Sequence, residues 1–312
     1  MSMNYLSVFS TTSSLFGLVA IGYLAGKLHS VTRESIASFV IFYVVPVVVF
    51  LGAYKLHIDS SLLIVPACSL FLALLWGSIF RKLGRRFHDD GTEALIAYSA
   101  ASSNSGNFGL PLCVAVCGEA ALPYVILYIM GLIVFEGTLG VYIFARTSLS
   151  PMKAVFRTLR MPALYAFFLG LAFNVFHISL ATPIEKTLAM VRGGYPLLGM
   201  SLLGVGLSRA DKSDFCVSLN FISVFSKLVI WPASMMALIY AEKTYFGLLP
   251  EIAHKVLIIE SLTPAPANLL GYAVQFGVHP CRAAVAVVTG MVVATFSIPL
   301  MVPWLFDVLG KM

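Results

Sequence analysis

The 312-residue chain is 59% hydrophobic and only 11% charged, with a mean hydropathy of +0.93. One soluble core of this length cannot hide that much apolar surface, so the composition calls for a bilayer. The net charge of +6, from 20 Lys+Arg against 14 Asp+Glu, then speaks of membrane topology and anionic lipid, and not of a nucleic-acid partner.

In chain order, ten apolar stretches are long enough to span: about 5–27, 33–54, 60–80, 92–117, 121–145, 162–178, 184–207, 217–240, 252–277 and 282–306. The first follows Met1-Ser2-Met3-Asn4 without a basic lead and reads as a retained helix, not a cleaved signal. The odd-numbered connections hold thirteen Lys and Arg, the even ones and the C-terminal tail five. The positive-inside bias therefore puts the odd connections in the cytoplasm and both termini outside.

The fourth and ninth stretches are interrupted near their middles. Ser102-Ser103-Asn104-Ser105-Gly106-Asn107-Phe108-Gly109-Leu110-Pro111 breaks one, and Glu260-Ser261-Leu262-Thr263-Pro264-Ala265-Pro266-Ala267-Asn268 breaks the other. Irregular backbone at membrane depth survives only where protein or a water-filled cavity satisfies it. Matched breaks in two halves point to a transporter's binding site. Sliding the chain by 153 residues lays Phe16-Gly17-Leu18 on Leu169-Gly170-Leu171 and Asn107 to Pro111 on Glu260 to Pro264. Five segments per half is an odd number, so the second copy enters from the opposite side.

The expected fold is thus an all-α membrane protein with ten transmembrane helices in two inverted five-helix repeats, residues 1–148 and 162–312. A cytoplasmic linker, 149–161, joins them. Helices 4 and 9 are broken and crossed, each as two half helices: 92–103 with 108–117, and 252–262 with 267–277. Half-helix ends facing one small volume would favour anions at their N–H ends and cations at their carbonyl ends.

Charge at membrane depth is costly and marks pairs or pathways. Glu136, Lys227 and Glu260 all fall near mid-depth. Two acids and one base leave the trio at minus one, which a bound Na+ or a proton would neutralise. Glu260, beside carbonyls freed at Thr263 to Pro266, reads as a Na+ ligand or proton carrier, with Glu136 and Thr263 beside it. Lys227 reads as a counter-charge for an anion or as a salt-bridge partner of Glu136 or Glu260. The amides of Asn107 and Asn268 can donate to a carboxylate and accept from a cation. Ser102, Ser103, Ser105 and Thr263 either line a cavity or cap the broken ends. Arg192 reads as snorkelling to the outer interface. Cys113 and Cys117, one turn apart, read as packing residues, and the six histidines as interfacial side chains, with no metal site among them.

The run Asn104-Ser105-Gly106-Asn107-Phe108-Gly109-Leu110-Pro111 resembles the N-x-G-N-x-G-L-P crossover of the auxin efflux carrier family, whose bacterial members include malonate and malate permeases. Pro264-Ala265-Pro266-Ala267-Asn268 is similar to that family's second crossover, with an Ala inserted between the prolines. The resemblance implies a fold similar to bile-acid/sodium symporters. A scaffold of helices 1, 2, 6 and 7 would carry a transport domain of helices 3–5 and 8–10, as a homodimer in a bacterial plasma (inner) membrane. It also implies a small organic anion as substrate, with Asn104, Gly106, Asn107, Gly109 and Pro111 in the first crossover and Pro264 and Asn268 in the second; Ser103 and Lys227 complete the expected binding set. No cofactor is expected beyond H+ or Na+ as coupling ion. An uncoupled anion channel would use the same crossing, and a carrier-derived ligand sensor is a further alternative. No Gly-x-Ser-x-Gly, His-Glu-x-x-His or membrane-depth Asp pair supports an enzyme.

Overall fold

The computed structural model describes residues 5–29, 31–55 and 60–311, whose regular elements are all helices, with no strand among them. The helices are α1 Tyr5–Leu28, α2 Arg33–Tyr54, α3 Ile64–Gly84, α4 Thr92–Ala101, α5 Leu110–Cys117, α6 Glu119–Ala145, α7 Pro151–Leu159, α8 Pro162–Val175, α9 Thr182–Leu207, α10 Val217–Tyr245, α11 Glu251–Ser261, α12 Asn268–Phe276 and α13 Pro280–Lys311. Among the described residues six of these (α2, α3, α6, α9, α10 and α13) are long and apolar enough to cross a membrane, and α7 with α8 forms a pair bent by 46°. The 149–161 connection, expected as a plain linker, contains α7. Both breaks are present, displaced by a residue or two from expectation: α4 stops at Ala101, and α11 stops at Ser261 with α12 resuming at Asn268.

Proline shapes several rods. Pro46, Pro111 and Pro232 each stand second after a five-residue π turn, at Val40–Val44, Ser105–Gly109 and Ser226–Ile230. A proline ring has no N–H to give and strikes the carbonyl four residues back. The wider π turn moves that carbonyl aside, so the helix continues instead of ending. A fourth π turn, Glu136–Gly140, lies inside α6 and contains Gly137 and Gly140.

Small residues set the helix contacts, as expected where lipid gives no hydrophobic drive to helix association. A Cβ on Gly204 would lie 2.0 Å from the Val19 carbonyl oxygen and one on Gly22 2.0 Å from that of Ser201, so α1 and α9 pack backbone to backbone. Gly170 of α8 meets the Phe50 carbonyl of α2 in the same way, at 2.4 Å, and Gly131 of α6 meets Pro66 and Ser69 of α3. At the end of the molecule where α4 and α13 begin, Arg282 donates to Asp90 Oδ2 and to Thr92 Oγ1, both at 2.8 Å. Partial burial works against the Asp90 carboxylate, but the Thr92 N–H, its hydroxyl and Arg282 outweigh it and hold the group well below the usual carboxylate range.

Gly204→Val should therefore separate α1 from α9 and cost about 1–3 kcal/mol or more. Thermal unfolding of the purified protein should shift down by several degrees, whereas Gly193→Ala, where nothing lies within 4 Å of the new Cβ, should leave it unchanged.

Candidate functional site

Where α4 ends, Ser102 turns to extended backbone (φ −111°, ψ 160°), and the chain is re-formed into a helix by Phe108 and Gly109, whose N–H groups both donate to the Asn104 carbonyl at 2.9 and 3.0 Å. The second break is buried from Ser261 through Ala267. The two breaks meet directly, because the Asn104 N–H donates to the Pro264 carbonyl at 2.8 Å. Other main-chain groups left over by the broken helices find side chains: Trp231 Nε1 donates to the Ala100 carbonyl at 2.6 Å, and Thr263 Oγ1 to the Glu260 carbonyl at 2.7 Å.

A cavity of about 470 Å³ opens on this crossing. The first break contributes Ser103 through Asn107, the second Pro266, Ala267 and Asn268, α6 contributes Glu136, and α9 contributes Arg192 and Tyr195. Glu136 is held from two sides, Ser102 donating to Oε1 at 2.5 Å and Asn268 Nδ2 to Oε2 at 2.9 Å. Asn268 Oδ1 in turn accepts from the Tyr195 hydroxyl at 2.9 Å. The remaining wall is apolar, chiefly Val45, Val48 and Val49 of α2 and Ile129, Met130 and Ile133 of α6.

Several buried polar atoms around the crossing have no hydrogen-bond partner: Asn104 Nδ2, Asn107 Oδ1, Ser105 Oγ and Glu260 Oε2. Unsatisfied buried groups are rare in folded proteins and call for an explanation. A carboxylate or hydroxyl in the cavity could accept from Asn104 Nδ2 and donate, if protonated or hydroxylated, to Asn107 Oδ1.

The expected residues divide into two sets. Asn104, Gly106, Asn107, Asn268, Ser103 and Glu136 line the cavity, while Gly109, Pro111, Pro264, Thr263, Lys227 and Glu260 lie behind it. Pro264 serves through its carbonyl. Pro111 sits in the first turn of α5, where its missing N–H is harmless. Thr263 caps α11 through its hydroxyl. Gly109 makes room for a carboxylate: a Cβ there would lie 2.4 Å from Glu260 Oε2. Glu260, 0% exposed, therefore rests on the backbone of the first crossover, with Cys113 Sγ 3.6 Å from Oε1 and the Ser105 hydroxyl beside it.

Lys227, 2% exposed, forms no ion pair with Glu136 or Glu260, contrary to the salt-bridge alternative. Its ammonium donates to Ser103 Oγ at 3.0 Å and sits 4.2 Å over the Trp231 ring, so a hydroxyl and a π face replace the carboxylate. Asn107, Glu136 and Lys227 each lie in one of the π turns.

Arg192, expected to snorkel to the outer interface, is among the residues that line the cavity, and its side chain makes no ion pair or hydrogen bond among the described residues. Tyr195 and Trp231 are not among the expected residues; the X-Pro after each π turn is the available signal for Trp231, nothing local marks Tyr195, and Tyr272 follows the second crossover motif by four residues. His254, in the first turn of α11, is buried in protein and bonded to Glu242 Oε2 at 2.7 Å. No group of three His, Cys, Asp or Glu suited to a metal occurs among the described residues.

A family model described as membrane transport protein matches residues 7–302. The chain belongs to that family. The resemblance of the Asn104–Pro111 run to auxin efflux carriers is thereby borne out, and the family is one of integral membrane transporters, not of enzymes. A protein of Methanothermobacter thermautotrophicus described only as an uncharacterized transporter is 27% identical over 208 residues, 64% of this chain and 68% of that protein. Auxin efflux carrier component 3a of Oryza sativa subsp. japonica is 27% identical over 145 residues, 44% of this chain but 22% of the rice protein.

The contrast between two glycines tests the geometry. Gly109→Ala should push Glu260 off the crossover and lower the unfolding temperature, a loss of about 1–3 kcal/mol. Gly106→Ala, whose Cβ would meet only Tyr195 at 4.0 Å, should unfold like wild type in the same assay.

Proposed function

We propose that the protein is a secondary carrier that moves a small organic carboxylate by alternating access, coupled to H+ or Na+. The observation that carries this reading is the hydrogen bond joining the two breaks, set against a cavity with unpartnered amides. The Asn104 and Asn107 amides would orient the carboxylate, and Arg192, the one cation lining the cavity among the described residues, would supply the charge to hold it. Glu260, behind the crossover and touching it through Gly109, would sense or carry the coupling ion, so that its occupancy is felt by the same backbone that cradles the anion.

Ten spans in two inverted repeats fit the packing. Under the 153-residue shift α1 corresponds to α8 and α2 to α9, and the α1–α9 contact has its counterpart in the α8–α2 contact. α1, α2, α8 and α9 would be the scaffold, and the helices bearing the breaks the moving part, as a homodimer in a bacterial inner membrane with both termini outside. Access in this conformation runs past Ile126, which lines both the central cavity and a second one of about 640 Å³ beside Tyr54, His177 and Glu185. On the other side Tyr272 closes the cavity, packed against Tyr98 and Phe144 with ring centroids 5.4 and 5.9 Å away.

The test is uptake into proteoliposomes of a panel of mono- and dicarboxylates under imposed Na+ or pH gradients. Asn107→Ala and Arg192→Gln should each raise KM by roughly ten- to a hundredfold, as loss of a charge-assisted or buried hydrogen bond of about 1.5–3 kcal/mol requires. Glu260→Gln should abolish gradient-driven accumulation while leaving substrate exchange. Rates unaffected by all three substitutions would remove the site assignment, and flux that never saturates would make the protein a channel. Ile126→Cys should gain labelling by a membrane-impermeant maleimide over the parent, and saturating substrate should slow it.

A further inference from the structure

The segment 151–160 divides into three faces at 100° per residue. Ala154 and Thr158 are buried, packed on the last turns of α6. Met152, Val155, Phe156 and Leu159 form a second, outward face, exposed by 66, 43, 56 and 47%. Lys153, Arg157 and Arg160 form the third, adjoining the apolar one. From Arg146 to Met161 there is no Asp or Glu, and neither the Lys153 nor the Arg160 side chain makes an ion pair or hydrogen bond among the described residues. The helix axis departs by 46° from that of α8, because Arg160 and Met161 precede Pro162 and leave the helical path.

An apolar strip bordered by uncompensated cations matches the polarity gradient of a bilayer surface, with acyl chains on one side and phosphate on the other. We propose that α7 is an interfacial anchor whose Lys153–Arg160 edge binds anionic phospholipid headgroups while Met152, Val155, Phe156 and Leu159 enter the acyl boundary. The proposal rests on the chain being integral to a membrane and not on the identity of its substrate. The anchor is linked to the transport machinery: the Arg157 guanidinium lies 5.8 Å over the Phe276 ring at the end of α12, and Phe276 stacks on Phe144, the neighbour of the cavity-lining Tyr272. Headgroup binding at α7 therefore bears on the second crossover through two ring contacts.

The full-length protein carrying Phe156→Trp is placed in mixed phosphatidylcholine/phosphatidylglycerol bilayers in which one lipid or the other is brominated on its acyl chains. Quenching of the added emission, relative to the parent, should be stronger per bromine from phosphatidylglycerol. Adding Lys153→Gln and Arg160→Gln should equalise the two lipids while keeping the phosphatidylcholine quenching, since the apolar strip is intact. Equal quenching before those substitutions overturns the headgroup assignment, and no quenching by either lipid means that protein, such as a second copy of the chain, covers the face. Native mass spectrometry reads the same interaction without the tryptophan: phosphatidylglycerol retained by the unaltered chain should exceed that retained by Lys153→Gln/Arg160→Gln by roughly fivefold or more, one basic side chain near an anionic surface being worth about that factor. Unchanged retention overturns the proposal.

Discussion

Hydrocarbon solvates no peptide group, and the structure is organised by how two stretches of non-helical backbone are satisfied inside it. The Asn104 N–H and the Pro264 carbonyl serve each other, Trp231 answers Ala100, and Thr263 answers Glu260. Pro264 and Pro266 bring no N–H groups that would need partners. With the main chain provided for in this way, the amides of Asn104 and Asn107 and the carboxylate of Glu260 are left with unused capacity at one place. In the reading proposed above, that leftover capacity is what would make the crossing a binding site and not merely a fault in two helices.

Glycine and π turns then bring charged side chains to the crossing. Gly109 lets the Glu260 carboxylate rest on the first break, so an acid from one half of the chain is set against the backbone of the other. The π turns at Ser105–Gly109, Glu136–Gly140 and Ser226–Ile230 rotate Asn107, Glu136 and Lys227 out of the regular helical phase. Each of the three charges is met differently: Glu136 by two donors, Lys227 by a hydroxyl and a ring, Glu260 by a thiol and a backbone gap. None is neutralised by an ion pair with another, so a solute or ion can bias any one of them separately.

The same economy of contact joins the site to its surroundings. Aromatic rings from α4, α6 and α12 close the cavity at Tyr272, and their stack runs on through Phe144 and Phe276 to Arg157 on the oblique helix α7. Ile126 stands between the cavity and a second one on the opposite side. A second cavity at one end and packed rings at the other are the asymmetry that the proposed carrier would have to reverse to move a solute.

Composition alone determined that the chain lives in a bilayer, and the Gly, Asn and Pro runs determined where its helices break, because no apolar helix can carry those residues through its middle without consequence. The Asn-Gly-rich signature of residues 104–111 identified the family. Position within the site was decided only by tertiary structure. Whether Lys227 meets a carboxylate or a ring, whether Gly109 touches a ligand or makes room for Glu260, and whether Arg192 points to the interface or borders the cavity depend on side chains more than a hundred residues apart, or on the phase that a π turn adds to a helix. Tyr195 carries no local mark, since an aromatic in an apolar helix looks the same whether it faces lipid, a neighbouring helix or a cavity.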